Sequence, residues 1–244
     1  MRSWAFLTLL GIIPFIGCGP KKPQAATAPQ PTAYGTAIVV SSGDKQVGAV
    51  GAGLEQPVVM QVNDAQGTAV AGAPVTMEGP AGVQFAPPSG LTDSSGQFTS
   101  SASLGGQAGH YRITAVTRDG SGKRIDVKLE EIALGYQGQV GQQLNSQYCD
   151  RCHNSESTAE RVSNYDNLST KPHSFSDGDA LNRFSDGDLT AIITHGGPAT
   201  GHSAEMPPWG YTLSKSDIQA LVAFIRAVSD PPYQAKGLIY ASYR

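Results

Sequence analysis

Cys149-Asp150-Arg151-Cys152-His153 sets two thiols three positions apart and an imidazole directly after the second. One turn of helix presents both sulfurs to the same edge of a planar ring, and the histidine reaches the ring centre from the same face. That is the arrangement that attaches a c-type haem through two thioethers and one nitrogen ligand. A zinc or dithiol site is the competing reading. Zinc needs further ligands at matching spacing, and a redox dithiol expects a βαβ setting.

Around this motif the apolar period is helical from about Tyr136. Gly141 to Tyr148 leads into it, with Leu144 as the main apolar residue. A second helix is predicted after Ser185, carrying Leu189, Ile192 and Ile193 on one side and Asp188 three residues past the cap. A third is predicted after Ser214. Asp217 sits at its third position, and Ile218, Leu221, Val222, Ile225 and Val228 form one apolar stripe. Pro231-Pro232 stop it, and the tail beyond, with Tyr233, Leu238, Ile239, Tyr240 and Tyr243, either packs back or frays.

A haem iron held by one histidine needs a second axial ligand to carry electrons, usually methionine or histidine. The helical segment contains one methionine, Met206, in Glu205-Met206-Pro207-Pro208-Trp209-Gly210. The proline pair restricts the loop, and Trp209 offers a large apolar face to a ring edge. His195 and His202 are the rival ligands; a plain gap-filling methionine is the bland alternative. His173 reads as a solvated loop residue. Asp177, Asp179, Asp186 and Asp188 either form an acidic docking face or serve as caps and turn formers.

From Cys149 to about Val228 the chain resembles a class I monohaem cytochrome c domain. The resemblance is carried by CDRCH, by FSDGDLTAIITHGGPATGHSAEMPPWG and by LSKSDIQALVAFIRAVS. It implies an all-α domain with one covalently attached haem c, His153 as proximal and Met206 as distal ligand, and Cys149 and Cys152 as the attachment points. Two departures stand out. Asn145 occupies the place beside Leu144 where the family commonly has an aromatic, and Asn154 to Glu160 is polar where a glycine-rich stretch often follows. Both bear on exposure of the haem edge and leave the ligands alone.

Upstream, from about Gly35 to Leu134, the period becomes two. Val58, Met60 and Val62 alternate, as do Tyr111, Ile113 and Ala115, and Ile125, Val127 and Leu129 against Asp126, Lys128 and Glu130. Asn63-Asp64-Ala65-Gln66-Gly67, Asp93-Ser94-Ser95-Gly96 and Asp119-Gly120-Ser121-Gly122 are turn signals. About seven short strands in ~100 residues is the pattern of an Ig-like sandwich. The stretch resembles bacterial Ig-like domains of the invasin and intimin type, through PVVMQVNDAQGTAVAGAPVTME (57–78), LTDSSGQFTSSASLG and AGHYRITAV. It has no cysteine pair, so burial alone must hold it. His110 is isolated and reads as a strand-edge residue, and no acidic cluster has calcium-loop spacing.

The N-terminus reads as an export signal. Arg2 precedes an apolar run from Trp4 to Ile16, too short for a spanning helix, which needs ~20 residues, and interrupted by Pro14. Phe15-Ile16-Gly17-Cys18 resembles the lipobox of bacterial lipoproteins, which implies lipidation of Cys18; a plain signal peptide with an incidental cysteine is the alternative. Gly19 to Tyr34, interrupted by four prolines, is a tether able to reach ~50 Å at ~3.1 Å per residue. The three cysteines are then all assigned, one to lipid and two to haem.

The expected plan is multidomain, an all-β Ig-like sandwich followed by an all-α cytochrome c domain. The segments are 1–17 signal peptide, 18–34 tether, 35–134 sandwich, 135–230 cytochrome c domain and 231–244 tail. A net charge of −3 and 7% aromatics give no nucleic-acid footprint, and 39% apolar content fits neither a multi-span membrane protein nor a disordered one. The expected function is that of an exported, lipid-anchored electron carrier rather than an enzyme. It would exchange single electrons with redox proteins at the bacterial cell envelope, on the periplasmic or cell-surface face. Gly19, in place of an inner-membrane retention aspartate, favours the outer membrane. The Ig-like part would be spacer or docking module. The alternatives are a haem sensor or enzyme with an open distal site, and an adhesion or assembly protein acting through the Ig-like part.

Overall fold

Nine strands and five helices follow one another in two blocks in the computed structural model, which describes residues 30–159 and 161–234. The signal-peptide reading of residues 1–17, Cys18, nearly all of the tether and the tail beyond residue 234 lie outside the described residues.

The first block comprises β1 (Ala37–Ser42), β2 (Val47–Ala49), β3 (Val58–Asn63), β4 (Pro74–Glu78), β5 (Gln84–Ala86), β6 (Ser89–Leu91), β7 (Gln97–Ser103), β8 (Gly109–Arg118) and β9 (Arg124–Leu134). They form two sheets, ordered β1-β3-β7-β5 and β2-β9-β8-β4-β6. With β1, β3, β4, β5, β7, β8 and β9 lettered A to G, these contain the A-B-E-D and C-F-G orders of an Ig sandwich. The strands beyond seven are among the three-residue segments, too short for alternation to mark.

Alternation does what it should in the long strands. Val58, Met60 and Val62 from one sheet and Ile113, Ala115 and Leu129 from the other are fully buried in one shared core. His110 is the second residue of β8 and pairs with Ile132 of β9, while β4 pairs with β8 only at Thr114–Val116. The inward face of β9 also includes Glu131, which is wholly buried. Its Oε2 accepts from the Gln46 N–H at 2.6 Å, while Oε1 has no partner. Burial therefore pushes its carboxyl up to about 7.

The three turn signals share one construction. Asp64, Asp93 and Asp119 each accept, through Oδ1, the backbone N–H groups two and four residues on, at 2.8–3.0 Å. The glycine that follows in each, Gly67, Gly96 or Gly122, takes φ of 74–86°, which a side chain would disfavour. At the entry, Thr32 and Ala33 already donate to the Gly72 carbonyl, so the chain meets the sandwich before Tyr34.

The second block holds α1 (Tyr136–Leu144), α2 (Asp150–His153), α3 (Gly178–Leu181), α4 (Asp186–Ala199) and α5 (Lys215–Val228). A π-helical turn at Asn145–Cys149 joins α1 to α2, and a 3-10 turn spans Tyr165–Asn167. The region is helical, with much of the described stretch between α2 and α3 in loops. Ser185 with Asp188, and Ser214 with Asp217, form reciprocal capping boxes. The apolar stripe of α5 is buried in full. Tyr233 packs back, its ring 3.8 Å from the Arg226 guanidinium carbon.

Two close approaches fix this block. Gly141 on α1 sits where a side chain would strike Ala220 and Phe224 of α5, so these helices cross in near contact. A separate cluster joins the blocks: Leu134 at the end of β9 packs with Phe224 and Val228 of α5, flanked by Val47, Ile132, Phe175 and Ala227. Among the described residues no helix is long and apolar enough to cross a membrane.

Candidate functional site

The helices and loops of the second block surround a cavity of about 520 Å³, within the ~300–1,000 Å³ usual for small-molecule and cofactor sites. Cys149, Cys152, His153 and Met206 all line it, together with Trp209. Leu189, Ile193, Leu221 and Ile225 supply much of its apolar wall.

The π turn delivers the cysteine motif to this cavity. A π turn inserts one residue into a helix and is common at functional positions. Here it runs from Asn145, whose carbonyl accepts the Asp150 N–H and whose side-chain Nδ2 donates to Asp150 Oδ1 at 2.8 Å. The residue departing from the family pattern thus ties the helix to the start of the motif. The polar loop that follows closes back: Asn164 N–H donates to the Arg151 carbonyl at 2.6 Å and Arg161 to the Asp150 carbonyl at 3.2 Å.

Cys149 and Cys152 are free thiols. Burial, reinforced by the Asp150 carboxylate and by Cys152, pushes the Cys149 thiol up to about 12. A half-buried thiol held protonated is the opposite of the depressed thiol of a reactive dithiol. No group of three or more His, Cys, Asp or Glu side chains is placed to hold a metal ion among the described residues, so the zinc reading finds no further ligands.

His153 is oriented from two sides. Assigned as the Nδ1–H tautomer, it donates to the His173 carbonyl at 2.9 Å, which leaves the Nε2 lone pair free to ligate. The Phe175 ring lies 4.6 Å from the imidazole centroid, tilted by 41°. Burial holds the imidazole below its ordinary 6.5, more than the His173 hydrogen bond and Asp150 raise it, and a neutral ring is the ligating form.

Met206 is held through its backbone and neighbours. Gly197 N–H donates to the Met206 carbonyl, Trp209 N–H to Ile193 and Gly210 N–H to Thr194, each at 3.0 Å. Gly196, at φ 77°, has the 206–208 backbone where a Cβ would stand. Glu205 reaches across the site and accepts from Ser169 N–H, Ser169 Oγ and Thr170 N–H at 2.8–3.2 Å. Those bonds, Ser169's backbone first, hold its carboxyl below the ordinary 4.5. Trp209 meets Tyr148 edge-on at 5.4 Å.

Of the rivals, His202 lines the cavity and meets Phe184 edge-on, whereas His195 is not among the lining residues. The His173 side chain is largely exposed and bonded to Asp177; its carbonyl is what serves the site. Three of the four aspartates are used by the fold. Asp177 caps α3, Asp188 belongs to the α4 capping box, and Asp186 pairs with Arg226 at 2.9 Å. Sequence reasoning missed Phe175, Glu205 and Arg226; only the adjacency of Glu205 to Met206 gave a signal.

Donor set and cavity together fit a haem c: two thiols and a neutral imidazole from one segment, a thioether from another, and an apolar chamber shared by all four.

Residues 137–225, just over a third of the chain, match the family model described as cytochrome c oxidase, cbb3-type, subunit III. That stretch is a cytochrome c domain, which implies a haem cofactor and electron transfer. A search of curated proteins gave no match. Among solved structures, the D00-D0 domain of intimin is similar at 18% identity and TM-score 0.31, over 42% of this chain and 50% of that one. The D0-D1 domain of intimin is similar at 19% identity and TM-score 0.32, over 41% and 47%. The bacterial integrin-binding protein invasin is similar at 22% identity and TM-score 0.30, over 40% and 19%. The chain spans about half the length of the intimin fragments it matches. The Ig-like assignment of the first block rests on its strand order.

Proposed function

We propose that this protein is an exported one-electron carrier with a single haem c attached through Cys149 and Cys152 and ligated by His153 and Met206. One observation carries the reading: these four side chains, from two separate segments, open onto one apolar cavity of about 520 Å³. Bound there, haem c supplies an Fe(II)/Fe(III) couple. The chain's part is to position and exclude. His153 presents Nε2 because His173 occupies Nδ1–H; the loop around Met206 is fixed by its bonds to the end of α4; the apolar wall keeps water out. With His153 and Met206 both held to ligate it, the group would favour electron transfer over substrate binding, and a thioether would raise its potential relative to two histidines.

Lipidation of Cys18 would anchor the protein at the cell envelope, with residues 18–34 as tether and 35–134 as a module that spaces the haem domain or docks it to redox partners. The division at 134/135 fits the end of β9 and the start of α1.

The test compares visible spectra of the protein, matured in a host that attaches haem c, with those of Met206→Ala. Covalent haem whose thioether–iron charge-transfer band vanishes in the variant is the expected result. A band absent from both, with histidine or open distal coordination, would move the assignment to His202 or to a sensing or catalytic site. No covalent haem at all would overturn it.

A further inference from the structure

We infer that the β-sandwich is part of the proximal wall of the proposed haem site, positioning His153 through Phe175 and the loop that carries it. This rests on the haem reading above.

The loop from His173 to Gly178 supplies both groups that orient His153, the His173 carbonyl and the Phe175 ring. It belongs to no long helix or strand, so something else must hold it. Phe175 packs against two clusters at once: the one lining the cavity and the one formed by Leu134, Phe224 and Val228 with Val47 and Ile132. Three of those five residues belong to the sandwich.

A second brace acts from behind. Asp230 N–H donates to the Ser176 carbonyl at 2.9 Å, Gly178 N–H to the Asp230 carbonyl at 3.0 Å, and Asn182 Nδ2 to the Pro231 carbonyl at 2.8 Å. Gly178 lies so close to Asp230-Pro231 that a Cβ has no room. On its other side this segment shares a small pocket of about 230 Å³ with His110 and Arg112 of β8 and Glu130 of β9. The sandwich thus reaches the proximal loop through the Leu134 cluster that Phe175 packs against, and faces residues 230–232 across a small shared pocket.

Second-shell groups of this kind fix a ligating imidazole's orientation and tune its basicity. If the backing of Phe175 is removed, the ring loosens and the Nδ1–H bond to His173 weakens. Nε2 becomes less basic, and the reduced form is favoured.

The experiment uses the full chain with haem attached, in Leu134→Ala, Phe175→Ala and Phe175→Leu, with Val75→Ala as a control buried in the sandwich core away from the junction. Ile132→Ala, half-buried at the same junction, replaces Leu134→Ala if that variant does not fold. Phe175→Ala and the junction variant should each favour the reduced form about threefold to tenfold, about 30–60 mV at 59 mV per tenfold for one electron. Phe175→Leu should recover much of the shift, and Val75→Ala should destabilise the sandwich without moving the potential. Amide hydrogen exchange at Gly178 and Asp230 should quicken in the junction variant and not in the control. Unchanged potential and unchanged exchange in a folded junction variant overturn the inference. If the unsubstituted protein takes up no covalent haem, the haem reading fails by itself, and the exchange comparison still decides whether the sandwich braces the loop.

Discussion

In the sandwich, Val58, Met60, Val62, Ile113 and Leu129 are sealed against one another, whereas in the helical region Leu181, Phe184, Ile192 and Trp209 stay partly uncovered around a chamber of about 520 Å³. One block completes its core with its own side chains. The other arranges apolar residues around a volume they do not fill, and a chain that does so depends on a guest for part of its burial. The sandwich should therefore tolerate loss of the cofactor, and the helical region should not.

The sharpest break of that contrast is the double substitution Cys149→Ser with Cys152→Ser. It should abolish covalent pigment on a denaturing gel and cut helical circular dichroism, while the sandwich still unfolds cooperatively. A double variant with undiminished helicity and the same unfolding midpoint would mean that the second block folds around an empty chamber. The converse is Met60→Ala. Met60 is fully buried on β3, so truncation should cost about 2–5 kcal/mol in urea unfolding of the sandwich. In protein that remains folded, the haem spectrum should not change.

The two blocks were also unequally legible. Alternation along β3 and β8, the three Asp turns and both capping boxes are local, so reading a few neighbouring residues suffices. The stripe of α5 was equally open because burial on a helix repeats every three or four residues. The site was legible only at its chemically distinctive members. Cys149, Cys152, His153 and Met206 announce themselves by type and spacing, whereas Phe175 becomes a site residue only because a loop folds back 22 positions after His153. His173 has the exposed loop side chain expected of it, and the part of its backbone in the site, a carbonyl that accepts from His153, has no signature in residue type. The role of Gly141 is likewise invisible until α5 lies across it.

Glu131 offers a finer test within the sandwich. Its carboxyl is pushed up to about 7 from an ordinary 4.5, chiefly by burial, with the Gln46 N–H opposing and Asp44 adding to the rise. Below the lower value both folded and unfolded chains hold the proton. Between the two the unfolded chain releases it and the folded chain keeps it, so stability falls as pH rises through this window and levels off above about 7. The total is on the order of 3–4 kcal/mol, from ~1.4 kcal/mol per unit, and about 2–3 kcal/mol of it is lost between pH 5 and pH 8. Urea midpoints at pH 5 and pH 8 should differ by this amount in the native chain and much less in Glu131→Gln. Equal pH dependence in both would show that Glu131 ionises without strain.

The smallest expected effect lies at the distal loop and sharpens the contrast inside the site itself. His153 is held by a long-range brace, but Met206 is held by the end of α4 and by one carboxylate, Glu205, spanning to Ser169 and Thr170. Glu205→Gln keeps the size of the side chain and replaces one acceptor oxygen with a donor facing N–H groups, so at least one of those bonds must be lost. Because the Gly197, Trp209 and Gly210 bonds remain, the loop should loosen rather than detach. At room temperature the thioether–iron charge-transfer band should therefore persist, and on heating it should disappear at a lower temperature than in the native chain, before the global unfolding transition. A band that survives to the same temperature would show that the α4 contacts alone hold Met206 and that Glu205 serves only the loop at 169–170.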